Sequence, residues 1–347
     1  MSLTRKELLD KIDSDSADGV IFGSVFSNKY SYDLIDIKEI NVRCKELGLK
    51  RYISIDSLIA ESDKASLYHY FELLTSIKPD GIYFADLGVI PVAETFGLND
   101  RLVYDPVTMI TNCVDAGFYI KQNIGVVLNR ELTYEEYETI LNRFPGKCDM
   151  QIFGHLRMSL SKRRFLSNYF KEIGNDINLT DRSDISLVEE SRNYHLPVRE
   201  TRYGTEIYSD NVLCFYPELV KIREKINHCI VDSDFVEDEL VLRVLKELKT
   251  LNEENSATDV ITSMPKQKNE NKIGFTDVMA GIAIANEIDK HFNKEDDEDY
   301  NEELETEMDA YDLEDWQKDL VREGRYNPWN FGEEDLEEDD YYYEDDK

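Results

Sequence analysis

The sequence contains no long hydrophobic run. Nothing in it approaches the roughly 18 apolar residues that a membrane-spanning helix needs, so no membrane partner is expected. Residues 1–7 (MSLTRKE) have no apolar core behind the basic pair, which points to a cytoplasmic protein. Paired cysteines are missing too. Cys44, Cys113, Cys148, Cys214 and Cys229 are odd in number, widely spaced and free of any C-x-x-C, which argues against a disulfide framework or a zinc ribbon. They read as reduced, buried thiols. Familiar chemical motifs are also absent: there is no H-E-x-x-H, G-x-S-x-G, Walker-type loop or dinucleotide fingerprint. The histidines (His69, His155, His195, His228, His291) are scattered, and no metal site is expected.

Positive charge is the scarcest feature. Forty Lys+Arg face 73 Asp+Glu, a formal net charge of −33. That balance works against a protein that grips nucleic acid unaided, because phosphate binding needs clustered cations. The deficit is uneven. Residues 1–250 carry 31 basic and 41 acidic side chains, whereas residues 251–347 carry 9 and 32. The chain therefore divides into a body able to build one sizeable core and a like-charged tail that cannot.

In the body, short apolar runs alternate with helical spacing. Strand-like segments at 19–24, 51–58, 81–85, 101–104, 125–129 and 149–154 are separated by helical patterns at 33–47, 64–77, 92–96, 111–122 and 133–144. Thr133 with Glu136 forms a capping box for the last of these. Such alternation implies βαβ units and a parallel sheet. A helix at 162–170 follows, then antiparallel strands at 184–213, a helix at 218–226, a strand at 229–232 and a helix at 238–248. One strand of the 184–213 region together with 229–232 would complete eight. The expected fold is α/β, a TIM-like (β/α)8 barrel with an inserted antiparallel hairpin, the runner-up being an open doubly wound sheet. The expected organisation is a barrel domain at 1–250, a polar linker at 251–272, an amphipathic helix at 273–293 and an acidic, aromatic-containing, largely disordered tail at 294–347.

Charged residues gather where the strands end: Asp56, Asp86, Asp105, Arg130 with Glu131, His155 with Arg157, and Asp232. In a barrel, that end is where active sites are assembled. Converging Arg and carboxylate groups there fit either a pocket for a small carboxylated ligand or a ring of ion pairs closing the mouth. The stretch 155–164 (HLRMSLSKRR) is the body's one basic patch, fitting either phosphate contact or a solvated helix start.

Four segments, taken in order, resemble the peptidase U32 (collagenase-like protease) family. They are FADLGVI (84–90), VVLNRELTYEEYETI (126–140), MQIFGHLRMSLSKRRFLSNYF (150–170) and RYGTEIYSDNVLCF (202–215). The resemblance runs from about residue 19 to 240 and leaves the tail uncovered. It implies a TIM-like barrel and a link to hydroxylation of the tRNA wobble uridine to 5-hydroxyuridine, with prephenate as a possible ligand. Active members carry four cysteines for an iron–sulfur cluster, whose ligands are thiolates. This chain has Leu156 after His155, Ser161-Lys162-Arg163 where the cysteines would lie, and no cysteine between Cys148 and Cys214. It is similar to the shorter, cysteine-less paralogue found beside a cluster-bearing one in Gram-positive bacteria.

The expected role is therefore an accessory subunit without an iron–sulfur cofactor, working with a cysteine-bearing homologue and tRNA. Arg130, Glu131 and His155 are its candidate catalytic residues. Asp86, Arg157 and Asp232 are candidates for ligand binding, and Lys162, Arg163 and Arg164 for contact with RNA or the partner. The alternatives are a peptidase, as the family label suggests, and a scaffold whose acidic tail occupies a basic protein surface.

Overall fold

The computed structural model describes residues 1–250, except 24, 30–31, 175–176 and 190–193, together with Asn271–Gly274. All of these fall in one compact unit, Met1–Ala285. The short helix α1 (Lys6–Leu9) precedes a regular alternation. It runs β1 (Gly19–Gly23), α2 (Leu34–Glu46), β2 (Lys50–Ile55), α3 (Lys64–Ile77), β3 (Gly81–Phe84), α4 (Val89–Thr95) and β4 (Leu102–Tyr104). It continues with α5 (Cys113–Ile120), β5 (Gly125–Val127), α6 (Tyr134–Arg143) and β6 (Cys148–Ser161).

Local chemistry explains these elements. Asp33 opens α2 by accepting hydrogen bonds from the Ile35 and Asp36 amides, and Ile37, Ile40, Asn41 and Cys44 place one face inward. The Thr133–Glu136 capping box on α6 forms as the sequence suggests. Helix α3 buries Leu67, Tyr70, Phe71, Leu74 and Ile77 at helical spacing and ends before Pro79. The strands between are covered on both faces, which suits their unbroken apolar runs.

Strands β1 to β6 pair in chain order, all parallel, in a curled sheet. A mixed segment follows: α7 (Phe165–Glu172), β7 (Ile185–Glu189), β8 (Tyr194–Thr201), β9 (Gly204–Cys214) and α8 (Tyr216–Ile222). Then come β10 (Cys229–Val231), α9 (Asp238–Thr250) and β11 (Asn271–Gly274). Strand β10 returns to pair in parallel with β6. At the far edge, Ser2 bridges to Ile21 of β1, and its amide donates to the Val231 carbonyl of β10 at 2.8 Å.

Three expectations change. Strands β7, β8 and β9 contribute nothing to the parallel set; they form an antiparallel arm joined to the second half of β6. The sequence could not show this, because β6 was expected to stop at 154 and runs to Ser161. Residues 155–161 are accordingly strand, not a helix start, and α7 begins only at Phe165. Its N-terminus is satisfied from outside, by the buried Glu200 carboxylate accepting from the Leu166 amide at 2.8 Å and the Ser167 amide at 3.1 Å. Finally Asn271–Gly274, expected as linker end and helix start, pairs in parallel with β7. The rest of the expected linker, helix and acidic tail lies outside the described residues.

Gly154 divides the two halves of β6. Its φ is +118°, and a Cβ there would meet the Asp232 Cβ at 2.5 Å and the Asp232 carbonyl oxygen at 2.8 Å. Gly154→Ala therefore strains the backbone and drives β6 from β10. It should lower stability by about 2 kcal/mol or more, measured as the shift in urea unfolding midpoint. A change within error would mean that the strands can separate freely at this point.

Candidate functional site

The carboxyl ends of the parallel strands surround a small polar cavity of about 40 Å³. Asp56 follows β2, Asp105 follows β4, Arg130 lies just beyond β5, His155 is within β6 and Asp232 follows β10. Lys29, Gln151 and Arg157 also line it. The cavity thus brings together six of the strand-end residues expected from sequence: Asp56, Asp105, Arg130, His155, Arg157 and Asp232.

Every cation in this group meets a carboxylate. Arg130 is bidentate on Asp105, at 2.9 Å to each oxygen, and donates through Nε to Gln151 Oε1 at 2.6 Å. Arg157 donates to Asp56 at 3.0 Å and to Glu206 of β9 at 2.5 Å. Lys29 pairs with Asp232, whose other oxygen accepts from Ser2 Oγ at 2.7 Å. Beside them Arg199 of β8 grips Asp234 through both terminal nitrogens, at 2.8 and 2.7 Å.

Burial and pairing compete over these carboxyl groups. Burial alone would raise Asp105, but the Arg130 charge and hydrogen bonds outweigh it and hold the carboxyl below its ordinary value. Asp232 is likewise lowered, burial being overcome by Lys29. Asp56 goes the other way: burial raises it more than Arg157 lowers it, and Glu206 adds to the rise. Asp234 is also raised by burial, against Arg199.

His155 is only 3% exposed, and its Nδ1–H donates to the Ser209 carbonyl at 2.7 Å. In the neutral ring that bond places the proton on Nδ1 and leaves Nε2 as a bare acceptor. Burial pulls the imidazole's pKa below its ordinary value. His155 Nε2 and Asp56 Oδ1 make no hydrogen bond of ordinary geometry among the described residues, the Ser27 hydroxyl lying near enough to Asp56 to favour its ionised form.

The remaining predicted residues lie elsewhere. Asp86 joins two loops, accepting from the Ile59 amide at 2.9 Å and the Gly88 amide at 2.8 Å, and does not line the cavity. Glu131 is exposed and outside it. Lys162 and Arg163 are exposed where β6 ends. Arg164 is held by Ser167 and Thr180, at 3.0 and 2.5 Å, and lies 3.6 Å from Glu200. Sequence reasoning missed Lys29, Gln151, Arg199, Glu206 and Asp234. Lys29 and Asp234 follow β1 and β10, so the strand-end rule that found the others could have found them. Arg199 and Glu206 belong to the arm, and nothing in the sequence shows that the arm reaches this end.

The cysteines are not all buried as expected: Cys113 and Cys214 are half-buried and Cys229 is exposed. Cys44 and Cys148 are buried in the core, each thiol pushed up to about 12 by burial. Among the described residues, no three His, Cys, Asp or Glu side chains are placed to hold a metal ion.

The neutral His155 has a measurable consequence. The unfolded chain takes up a proton on this residue near pH 6.5, while the folded chain resists until lower pH. Stability contributed by the neutral imidazole is present above that pH and is lost as pH falls through the folded pKa. The loss is at most about 1.4 kcal/mol per pH unit. Urea midpoints at about pH 7.5 and 5.5 should therefore differ more for the unaltered chain than for His155→Gln. Equal differences would show that His155 is not held neutral.

Comparison with known proteins fits this arrangement. The family model described as Peptidase family U32 matches residues 10–274. The tRNA hydroxylation protein P2 of Bacillus subtilis (strain 168) is 25% identical over 189 residues, covering 53% of this chain and 61% of that protein. A protein of Methanocaldococcus jannaschii named as an uncharacterized protease is 30% identical over 125 residues, covering 35% of this chain and 30% of that one. The chain thus spans less than two thirds of the length of these curated relatives. A solved U32 peptidase structure aligns with a TM-score of 0.37 and 16% identity, covering 44% of this chain and 67% of that one. The family model covers most of the body, buried cavity included, and the chain belongs to peptidase family U32.

Proposed function

We propose that the chain is an accessory subunit in tRNA wobble-uridine hydroxylation. It would act in the cytoplasm beside a cysteine-bearing homologue that supplies the chemistry this chain's thiols cannot. The observation that carries the reading is the likeness to the Bacillus subtilis tRNA hydroxylation protein over 189 residues. Strand β6 adds a physical basis. Its inner residues His155 and Arg157 line the cavity, while the same strand leads to the exposed Lys162 and Arg163. Those two cations provide phosphate contact despite the acidic whole. Arg164, committed to Glu200 and Thr180, serves instead to position α7.

The same reading treats the Ser2 bridge between β1 and β10 as the closing element of a TIM-like barrel, with residues 1–250 as its domain. In that arrangement the cavity is the barrel's mouth, where enzymes of this fold place their chemistry. Arg130 and Asp105 fix one wall, Arg157 and Asp56 another, and His155 offers a neutral acceptor between them.

The peptidase reading keeps one support, the name of the Methanocaldococcus jannaschii relative. Gelatin cleavage by purified protein, abolished in His155→Gln, would favour it. The tRNA reading is tested by mass spectrometry of tRNA nucleosides. Deleting the gene should lower 5-hydroxyuridine, and the unaltered gene should restore it. Restoration by Lys162→Ala/Arg163→Ala should be at least about threefold poorer, reflecting two lost phosphate contacts. Unchanged 5-hydroxyuridine in the deletion strain would reject the role.

A further inference from the structure

We infer that the cavity takes a compact hydrogen-bond donor, a hydroxyl or primary ammonium head group of about two or three heavy atoms, between His155 Nε2 and Asp56 Oδ1. The inference rests on reading the cavity as the functional site, and it names the ligand chemistry there.

Charge supplies the first argument. An anion such as the prephenate suggested by the family resemblance would need a wall with positive charge in excess. The cations lining the cavity are Lys29, Arg130 and Arg157, each already engaged by Asp232, Asp105 and Asp56 respectively. Glu206 lies 2.5 Å from Arg157 and adds a further negative charge beside the wall. With Glu206 included, these three cations face four carboxylates, so an entering carboxylate would add negative charge to a buried wall that already carries an excess.

Orphaned atoms supply the second. Buried polar groups are almost always hydrogen-bonded, so two atoms on one cavity without a bond of ordinary geometry call for an explanation. His155 and Asp56 are 3% and 8% exposed. While the ring is neutral, as its burial favours, His155 Nε2 can only accept, because the proton is on Nδ1 facing the Ser209 carbonyl. Asp56 Oδ1 accepts while the carboxyl is ionised, a state that burial opposes and the Arg157 guanidinium at 3.0 Å favours. Both vacant valences therefore call for N–H or O–H.

Size supplies the third. About 40 Å³ is room for a few water-sized positions and too little for a ring. A larger ligand would place only its donor head here. A hydroxyl satisfies His155 with its single proton, whereas an ammonium can serve both acceptors at once.

The test uses the full chain labelled with 15N-histidine, titrated at fixed ionic strength with methylammonium, methanol or formate. The His155 Nε2 resonance should move and saturate with methylammonium or methanol, whichever does so identifying the head group, and stay put with formate. Asp56→Asn keeps the side-chain shape while removing the charge, and it should weaken methylammonium at least tenfold or methanol severalfold. Saturation by formate, or by neither donor, overturns the inference whether or not the variant folds. Unaltered donor binding in folded Asp56→Asn overturns it as well. None of these results bears on 5-hydroxyuridine levels in the deletion strain, so the ligand chemistry and the tRNA role fail separately.

Discussion

The buried guanidinium of Arg157 is the interaction on which the arrangement of this end of the molecule depends. It joins Asp56, 101 residues earlier in the chain, to Glu206, 49 residues later. Removing three charges from water is costly, and the cost is offset only when the geometry holds every partner in place. Arg157 therefore fastens the antiparallel arm to the curled sheet in one position. Arg199 repeats the device from β8, pairing with Asp234 and donating to the Lys29 carbonyl at 2.8 Å. Thr201 adds a hydrogen bond to Asn28 at 2.6 Å. The wall over the strand ends is thus built from charges, and any substitution that frees one of them leaves its partner buried alone.

How this was legible in the sequence follows from which forces are local. Helices α2, α3 and α6 could be read closely because their caps, apolar spacing and terminators all lie within one stretch of chain. The strand-end carboxylates could be read because βα alternation alone puts such residues on one side of a parallel sheet. That rule reached Asp56, Asp105, Arg130, His155, Arg157 and Asp232, and it also collected Asp86 and Glu131, whose loops turn them elsewhere. The length of β6 was not legible. Its second half is held by β9, some fifty residues away, and its basic residues resemble a helix start when that pairing is unknown. Missing the pairing hid the arm's contribution of Arg199 and Glu206, and with it the reason Arg157 can be buried.

The corrected reading of β6 alters what the basic patch means. A helix would scatter 155–164 around its circumference. A strand instead sends them alternately inward and outward, so Arg157 enters an ion-pair network while Met158 is 57% exposed. The stretch is thus not one patch. Arg157 and Arg164 are structural cations with buried carboxylate partners, whereas Lys162 and Arg163 are exposed at the far end. The acidic net charge of the chain is compatible with a narrow contact there.

A contrast at the opposite end distinguishes the small polar cavity from other clusters of ionisable groups. The amino ends of the strands open on a larger cavity of about 310 Å³, beside which Asp149 and His228 lie together. There every valence is used. Asp149 accepts from Tyr83 Oη at 2.6 Å, Asn227 Nδ2 at 2.8 Å and the His228 amide at 3.1 Å. His228 meets Asp149 through Nδ1 at 3.0 Å and Tyr52 Oη through Nε2 at 3.0 Å. A closed network of this sort fixes the strands it joins, which is what polar residues at that end of a βα sheet usually do. In the small polar cavity the same residue types, one histidine and one aspartate, each keep an atom without a hydrogen bond of ordinary geometry among the described residues. Satisfied groups hold a fold together, whereas orphaned ones in a cavity are left for something that arrives from outside.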